Sequence, residues 1–170
     1  MLVQGEGRRL DPETAGDHID TLFRAACALC GSRQIAEDLV QETYVKVLAR
    51  PRFLRRDDDL GYLIKALRNA WYSHLRDERV RREAVESREQ IPDEMPTRTT
   101  AGDPQSSLEA GAVLEALAEL PVPYREAVTA VDVAGLSYQE AARALGVRQG
   151  TIMSRLYRGR EQVARAVGSA

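Results

Sequence analysis

Six side chains recur along one stretch at spacings of three and four: Lys65, Arg68, Asn69, Tyr72, Arg76 and Arg79. On a helix these spacings put all six on one side over roughly four turns. Cations, an amide and a phenol ring on one face suit a nucleic-acid strand. Phosphates take the cations, and unstacked bases take the ring. A merely solvated face usually interleaves acids with bases, and no acid stands between Lys65 and Arg76. Arg81 and Arg82 extend the same basic run.

A second set lies near the C-terminus: Arg148, Gln149, Thr151, Ser154, Arg155 and Arg158. The complementary positions Ile152, Leu156, Gly159 and Val163 form a buried stripe, so the arginines and hydroxyls face outward. Ahead of them, Ser137 and Glu140 have the spacing of a capping box, and Gly146 can end the helix they begin. A short helix, a glycine turn and a second helix with one basic face match the helix-turn-helix that enters the DNA major groove. A third set, Glu37, Asp38, Gln41, Glu42 and Val45, makes the outer side of a helix; taken alone it reads as a solvated acidic face.

Groups for catalysis are missing from the pattern. His18 and His74 stand far apart, and there is no nucleophile–base set, no phosphate-cradling glycine loop and no metal-ligand cluster. No enzyme activity and no cofactor are expected. Cys27-Ala28-Leu29-Cys30 is a C-x-x-C, but it sits inside a helical pattern without two further ligands, so its cysteines are expected to pack as small core residues. The net charge of -2 over 170 residues leaves DNA binding to local basic faces. The 44% hydrophobic content supports a core, and the 5% aromatic content is common in helical bundles. With no apolar run long enough for a membrane span and no signal pattern, a cytoplasmic protein is expected.

The elements that carry these sets can be read in order. Residues 1–16 read as a flexible lead-in. From Asp17, Ile19, Leu22, Phe23, Ala26, Leu29 and Cys30 make a core-facing stripe ended by Gly31. A second helix starts at Ser32 and buries Ile35, Leu39, Val40, Val47 and Leu48; Pro51 breaks it. Asp57-Asp58-Asp59 favours the start of a third, whose stripe is Leu60, Leu63, Ile64, Leu67, Trp71 and Leu75. Residues 86–107 have three prolines and no apolar period, as a linker does. Helices then follow at Leu108–Leu120 and from Tyr124 to Gly135 before the helix-turn-helix. The expected fold is all-α, two small helical domains joined by a flexible linker.

These parts, in this order, resemble the bacterial sigma factors of the extracytoplasmic-function type, from about Asp17 to Ala166. Ala36-Glu37-Asp38-Leu39-Val40-Gln41-Glu42-Thr43-Tyr44 is similar to that family's AEDLVQETF helix. Leu63 to Arg76, with Arg68-Asn69 and His74-Leu75-Arg76, looks like its promoter-melting helix. Leu120-Pro121, Tyr124-Arg125-Glu126 and the run from Gly135 to Arg160 resemble its C-terminal domain. One helix-turn-helix is a moderately specific sign; three blocks at this spacing are highly specific.

The resemblance implies region 2 over 17–85, a linker over 86–107, and region 4 over 108–167 with a winged-helix-like helix-turn-helix. It implies an RNA polymerase specificity subunit that guides promoter recognition and strand opening. Asp38, Gln41, Glu42 and Val45 would dock on core RNA polymerase. Lys65, Arg68, Asn69, Tyr72, Arg76 and Arg79 would hold the minus-ten element, and the loop Phe53 to Asp59 would receive a flipped base. Arg148, Gln149, Thr151, Ser154, Arg155 and Arg158 would read the minus-thirty-five element of promoter DNA. An anti-sigma factor is the further partner the family implies. Three positions depart from the family pattern: Met153 replaces a common lysine, Trp71 a small aliphatic residue, and Val122-Pro123 an acidic pair. A helix-turn-helix repressor explains only the C-terminal half. A sigma mimic that sequesters an anti-sigma factor has no use for the basic face near Arg68.

Overall fold

The computed structural model describes residues 8–10, 12–49, 53–54, 59–86 and 104–168. The chain is all-α in two helical sets, as the periodicity predicts. The first set comprises α1 (Pro12–Gly16), α2 (Ile19–Cys30), α3 (Arg33–Ala49) and α4 (Asp59–Glu86). The second comprises α5 (Pro104–Glu119), α6 (Val122–Val128), α7 (Tyr138–Leu145) and α8 (Gln149–Gly168). Residues Thr129–Val133 continue α6 as one π turn, in which the Ala134 N–H reaches back to the Thr129 carbonyl at 2.9 Å.

The helix ends follow local chemistry. Gly31 closes α2 at φ 70°, its N–H donating to the Cys27 carbonyl; a side chain there would be strained. Ser32 begins α3, its hydroxyl accepting from the Ile35 N–H at 3.4 Å. At α7, the Ser137 hydroxyl accepts from the Glu140 N–H and the Glu140 carboxylate accepts from the Ser137 N–H at 2.8 Å, the full reciprocal cap. Hydrogen bonding from Ser137, through its hydroxyl and its backbone N–H, holds the Glu140 carboxyl below the usual carboxylate range. Gly146 then turns the chain into α8 at φ 68°.

Five expectations are corrected. Of the expected lead-in, residues 8–10 and 12–16 are built in, and residues 1–7 and 11 lie outside the described residues. Arg8–Arg9 (β1) pairs antiparallel with Phe53–Leu54 (β2), Leu10 is buried, and α1 buries Ala15. The Tyr44 hydroxyl donates to the Ala15 carbonyl at 2.6 Å, tying α1 to α3. Part of the loop expected over Phe53–Asp59 is therefore strand and helix start; residues 55–58 lie outside the described residues. Of the linker, residues 87–103 also lie outside them, while 104–107 already belong to α5. No strand occurs between Pro104 and Gly168, so the helix-turn-helix carries no wing. The apolar stripes are not buried throughout: Ile19, Leu48 and Leu75 are exposed.

The core is continuous through both sets. Leu22, Leu39, Leu63 and Leu67 on one side and Ile152 and Leu156 on the other are almost fully buried. Each such side chain contributes about 1.5–3 kcal/mol of transfer free energy. In the second set α8 lies close on α6: a Cβ on Gly159 would stand 2.8 Å from Val128 Cγ2 and 3.4 Å from the Tyr124 carbonyl oxygen. Between the sets, α2 packs on α5, α6 and the π turn, and α4 packs on α7.

Candidate nucleic-acid interface

Three faces identified from residue spacing can now be placed. On α4, Leu63, Ile64, Leu67 and Trp71 point into the core, which turns the opposite side outward. Lys65, Asn69, Arg76 and Arg79 are exposed on that side, as spacing requires, and Arg68 and Tyr72 are half-buried. Arg79 donates to Glu83 one turn on, at 2.9 Å and in full view of solvent, an ion pair of small energetic weight.

Arg68 and Tyr72 differ from the other four. The Arg68 guanidinium lies 4.9 Å from the Tyr72 ring centroid, a cation–π stack. Its Nε donates to Glu126 Oε1 at 2.5 Å, and Glu126 comes from α6 in the other helical set. Glu126 is only 3% exposed. Burial pushes the Arg68 guanidinium down, but the hydrogen bond and charge of Glu126 outweigh it and hold it above its ordinary value. Burial, then Glu126, also raises the Tyr72 hydroxyl.

Trp71 sits just beneath. At 2% exposure it is a core residue, so it offers no extra ring for stacking a base. Its ring lies 5.5 Å from that of Tyr72, and the Arg125 guanidinium stands 5.7 Å from its centroid. Arg125 also donates to the Leu29 carbonyl at 2.9 Å, to the Leu120 carbonyl at 3.0 Å and to the Ala118 carbonyl. Burial pulls its guanidinium down, partly offset by Glu119 and Cys30.

On α8 the outward set is displayed in full. Arg148, Gln149, Ser154 and Arg158 are exposed, and Thr151 and Arg155 half-buried, above the buried Ile152 and Leu156. The Ser154 hydroxyl donates back to the Thr151 carbonyl at 3.0 Å, and Arg158 donates to the Tyr124 hydroxyl at 3.3 Å. Arg160 chelates Asp132 of the π turn through two bonds of 2.9 and 2.6 Å, which ties α8 to the turn that continues α6. Met153 and Tyr157 add exposed apolar surface to α8, Tyr157 at 71%. Residue spacing alone did not mark Tyr157.

On α3, Asp38 and Gln41 are exposed, Glu42 is half-buried and paired with Lys46, and Val45 is 68% exposed among them. A valine left in water beside acids is more than a solvated face needs. Cys27 and Cys30 are free thiols. Burial pushes Cys30 up to about 11, so it stays protonated near neutral pH, and Cys27 is raised as well. That environment suits packing, not redox exchange. Among the described residues no group of acids, histidines and cysteines can hold a metal ion, and no helix is long and apolar enough to cross a membrane.

Spacing found these faces because each repeats along one helix. It missed Arg125 and Glu126 as interface residues. Their one visible signal was an acid and a base on a short helix that otherwise supplies Ala127 and Val128 to the core.

Comparison with known proteins fits the two-set division. Residues 15–81 match the model for Sigma-70 region 2, and residues 110–163 match Sigma-70, region 4. The chain is 35% identical over 154 residues to the ECF RNA polymerase sigma factor SigE of Mycolicibacterium smegmatis, covering 89% of this chain and 59% of SigE. It is 34% identical over 148 residues to the ECF RNA polymerase sigma factor EcfG of Rhodopseudomonas palustris, covering 85% of this chain and 78% of EcfG. Among solved structures it is similar to the sigma factor RpoE in its complex with the anti-sigma factor NepR from Bartonella quintana. There the TM-score is 0.73 at 29% identity, over 92% of this chain and 95% of that one.

Proposed function

This chain belongs to the ECF RNA polymerase sigma factors, and from that premise we propose that it directs core RNA polymerase to specific promoters and helps open the DNA there. Family membership makes it a transcription initiation factor; we propose that it acts by binding, catalysing no reaction itself, in the cytoplasm where its polymerase works. The observation that carries the reading is the coexistence of three faces on one chain, each displayed on a buried scaffold: α3 acidic with Val45, α4 basic with Tyr72, and α8 basic with small hydroxyls. A repressor needs only the last.

The division of labour follows from the chemistry. Asp38, Gln41, Glu42 and Val45 bind the polymerase, where an apolar residue ringed by acids gives both burial and orientation. Lys65, Arg68, Asn69, Tyr72, Arg76 and Arg79 take the minus-ten strand, cations on phosphates and Tyr72 against a base. Arg148, Gln149, Thr151, Ser154, Arg155 and Arg158 enter the major groove upstream, where arginine and glutamine pair with guanine and adenine edges. The helices from α2 to α4 serve as region 2 and those from α5 to α8 as region 4. An anti-sigma factor is a further partner, in keeping with the complex in which the similar RpoE was solved.

The experiment is transcription from a promoter library by core polymerase with and without this protein. New start sites dependent on the chain are expected. An Asp38→Arg variant should stay folded, because Asp38 is exposed, yet lose holoenzyme formation by about tenfold or more, about 1.4 kcal/mol. Absence of any chain-dependent transcript would defeat the proposal. Normal holoenzyme assembly by the variant would defeat the α3 assignment alone.

A further inference from the structure

The most unusual group outside the faces themselves is Glu126. It is a carboxylate at 3% exposure, set on a helix whose neighbouring residues are core, and a buried carboxylate must find a cation or a set of donors. Its cation is Arg68, 58 residues earlier in the chain and on the other helical set. Arg68 is also the arginine stacked on Tyr72, at the middle of the face that offers phosphate and base contacts.

We propose that Glu126 is an internal substitute for a DNA phosphate: in the free chain it occupies the Arg68–Tyr72 site on α4, holds the two domains together, and must be displaced by a DNA strand. The inference rests on reading α4 as the strand-binding face. Carboxylate and phosphate are satisfied by the same guanidinium geometry, and one guanidinium does not serve both at full strength.

A second contact works in the same sense. Arg125, adjacent to Glu126, donates to the Leu29 carbonyl in the last turn of α2, where the helix dipole is negative, and lies over Trp71 of α4. One dipeptide thus sends a cation to α2 and an anion to α4. Breaking the domain contact takes the Leu29 carbonyl and Trp71 from Arg125, which keeps the Ala118 and Leu120 carbonyls of its own set, and takes from Arg68 and Glu126 the partner each has in the other. DNA replaces the one on Arg68.

The rest of the face explains how the exchange begins. Lys65, Asn69 and Arg76 stay exposed in the closed arrangement, so a strand can be attracted before Arg68 is released. The closed form then lowers apparent DNA affinity by the fraction of chains that are open, and DNA binding opens the chain by the same factor.

The test uses the full chain and two readouts: X-ray scattering without DNA, and fluorescence anisotropy with a labelled single-stranded DNA oligonucleotide of mixed sequence. Glu126→Gln should enlarge the radius of gyration and tighten DNA binding by about fivefold or more, the factor by which the open fraction rises. Arg68→Gln should enlarge the chain likewise but weaken DNA binding, and it addresses the latch even if Glu126→Gln unfolds. The exchange pair Arg68→Glu with Glu126→Arg should restore the compact radius. A Glu126→Gln chain with wild-type radius and wild-type DNA affinity would overturn the latch and leave the function intact. Expansion with unchanged DNA affinity would overturn the competition. If Lys65→Ala and Arg76→Ala then also leave DNA binding unchanged, it is the assignment of α4 that has failed.

Discussion

The two basic faces of this protein are made of similar side chains and are presented in opposite ways. The α8 face is displayed by its own domain. Ile152, Leu156 and Gly159 press α8 onto α6, Arg160 clamps it to Asp132, and Arg148, Gln149 and Ser154 stand in solvent. The α4 face is displayed only in part, because the other domain reaches across and takes Arg68. A reading head built by local packing is ready whenever its domain is folded. One whose central arginine pairs with a distant glutamate is ready only when the domains part. Residue type says what a face can bind; packing says when.

Trp71 lies under the α4 face and against Arg125, so Trp71→Ala removes core volume and the interdomain stack together. It should cost about 3–5 kcal/mol in chemical denaturation. A cost below about 1 kcal/mol would mean that Trp71 is not the keystone of that side.

On α8 the same question has two smaller forms. Gly159→Ala should destabilise by about 1–3 kcal/mol, since its methyl would meet Val128 Cγ2 and the Tyr124 backbone, and this outweighs the gain in helix propensity. A stabilised Gly159→Ala protein would show that α6 and α8 can slide apart. Arg155→Ala, by contrast, should leave stability nearly unchanged and weaken duplex promoter binding by about 1–3 kcal/mol if it reads a base edge. Equal promoter binding by wild type and variant would remove Arg155 from the reading set.

The smallest effect tests whether α7, the first helix of the helix-turn-helix, is held by a purely local device. Ser137→Ala should cost about 1 kcal/mol. Because the cap lowers the Glu140 carboxyl pKa on folding, its contribution is present above the unfolded carboxylate value of about 4.3 and is lost as pH falls through the lower folded value. Thermal melts across that acid range should show the wild type losing more stability than the alanine variant, which keeps only the backbone N–H bond to the Glu140 carboxylate. Parallel pH profiles for the two proteins would count against the cap.

Much of this was legible in the sequence, and the reason is periodicity. The capping box at Ser137 and Glu140, the left-handed Gly31 and Gly146, the buried stripe of α8 and the outward arginines all depend on relations three or four residues apart. Local dihedral geometry sets those relations wherever the helix finally packs. Three such blocks in order were enough to name the family. The stripes misled at Ile19, Leu48 and Leu75, which stand exposed.

What tertiary structure alone decided are the contacts with no period. Arg8–Arg9 against Phe53–Leu54, the Tyr44 hydroxyl on the Ala15 carbonyl, and Arg125 on the Leu29 carbonyl join residues tens of positions apart. So does Glu126 on Arg68. Side-chain chemistry determined that Arg68 would seek an anion; only the meeting of α4 with the second domain decided that, in this chain, the anion is its own glutamate. Helical spacing carries the first of those facts because it is a property of one segment. The second depends on the summed packing of every helix between them, which no local pattern encodes.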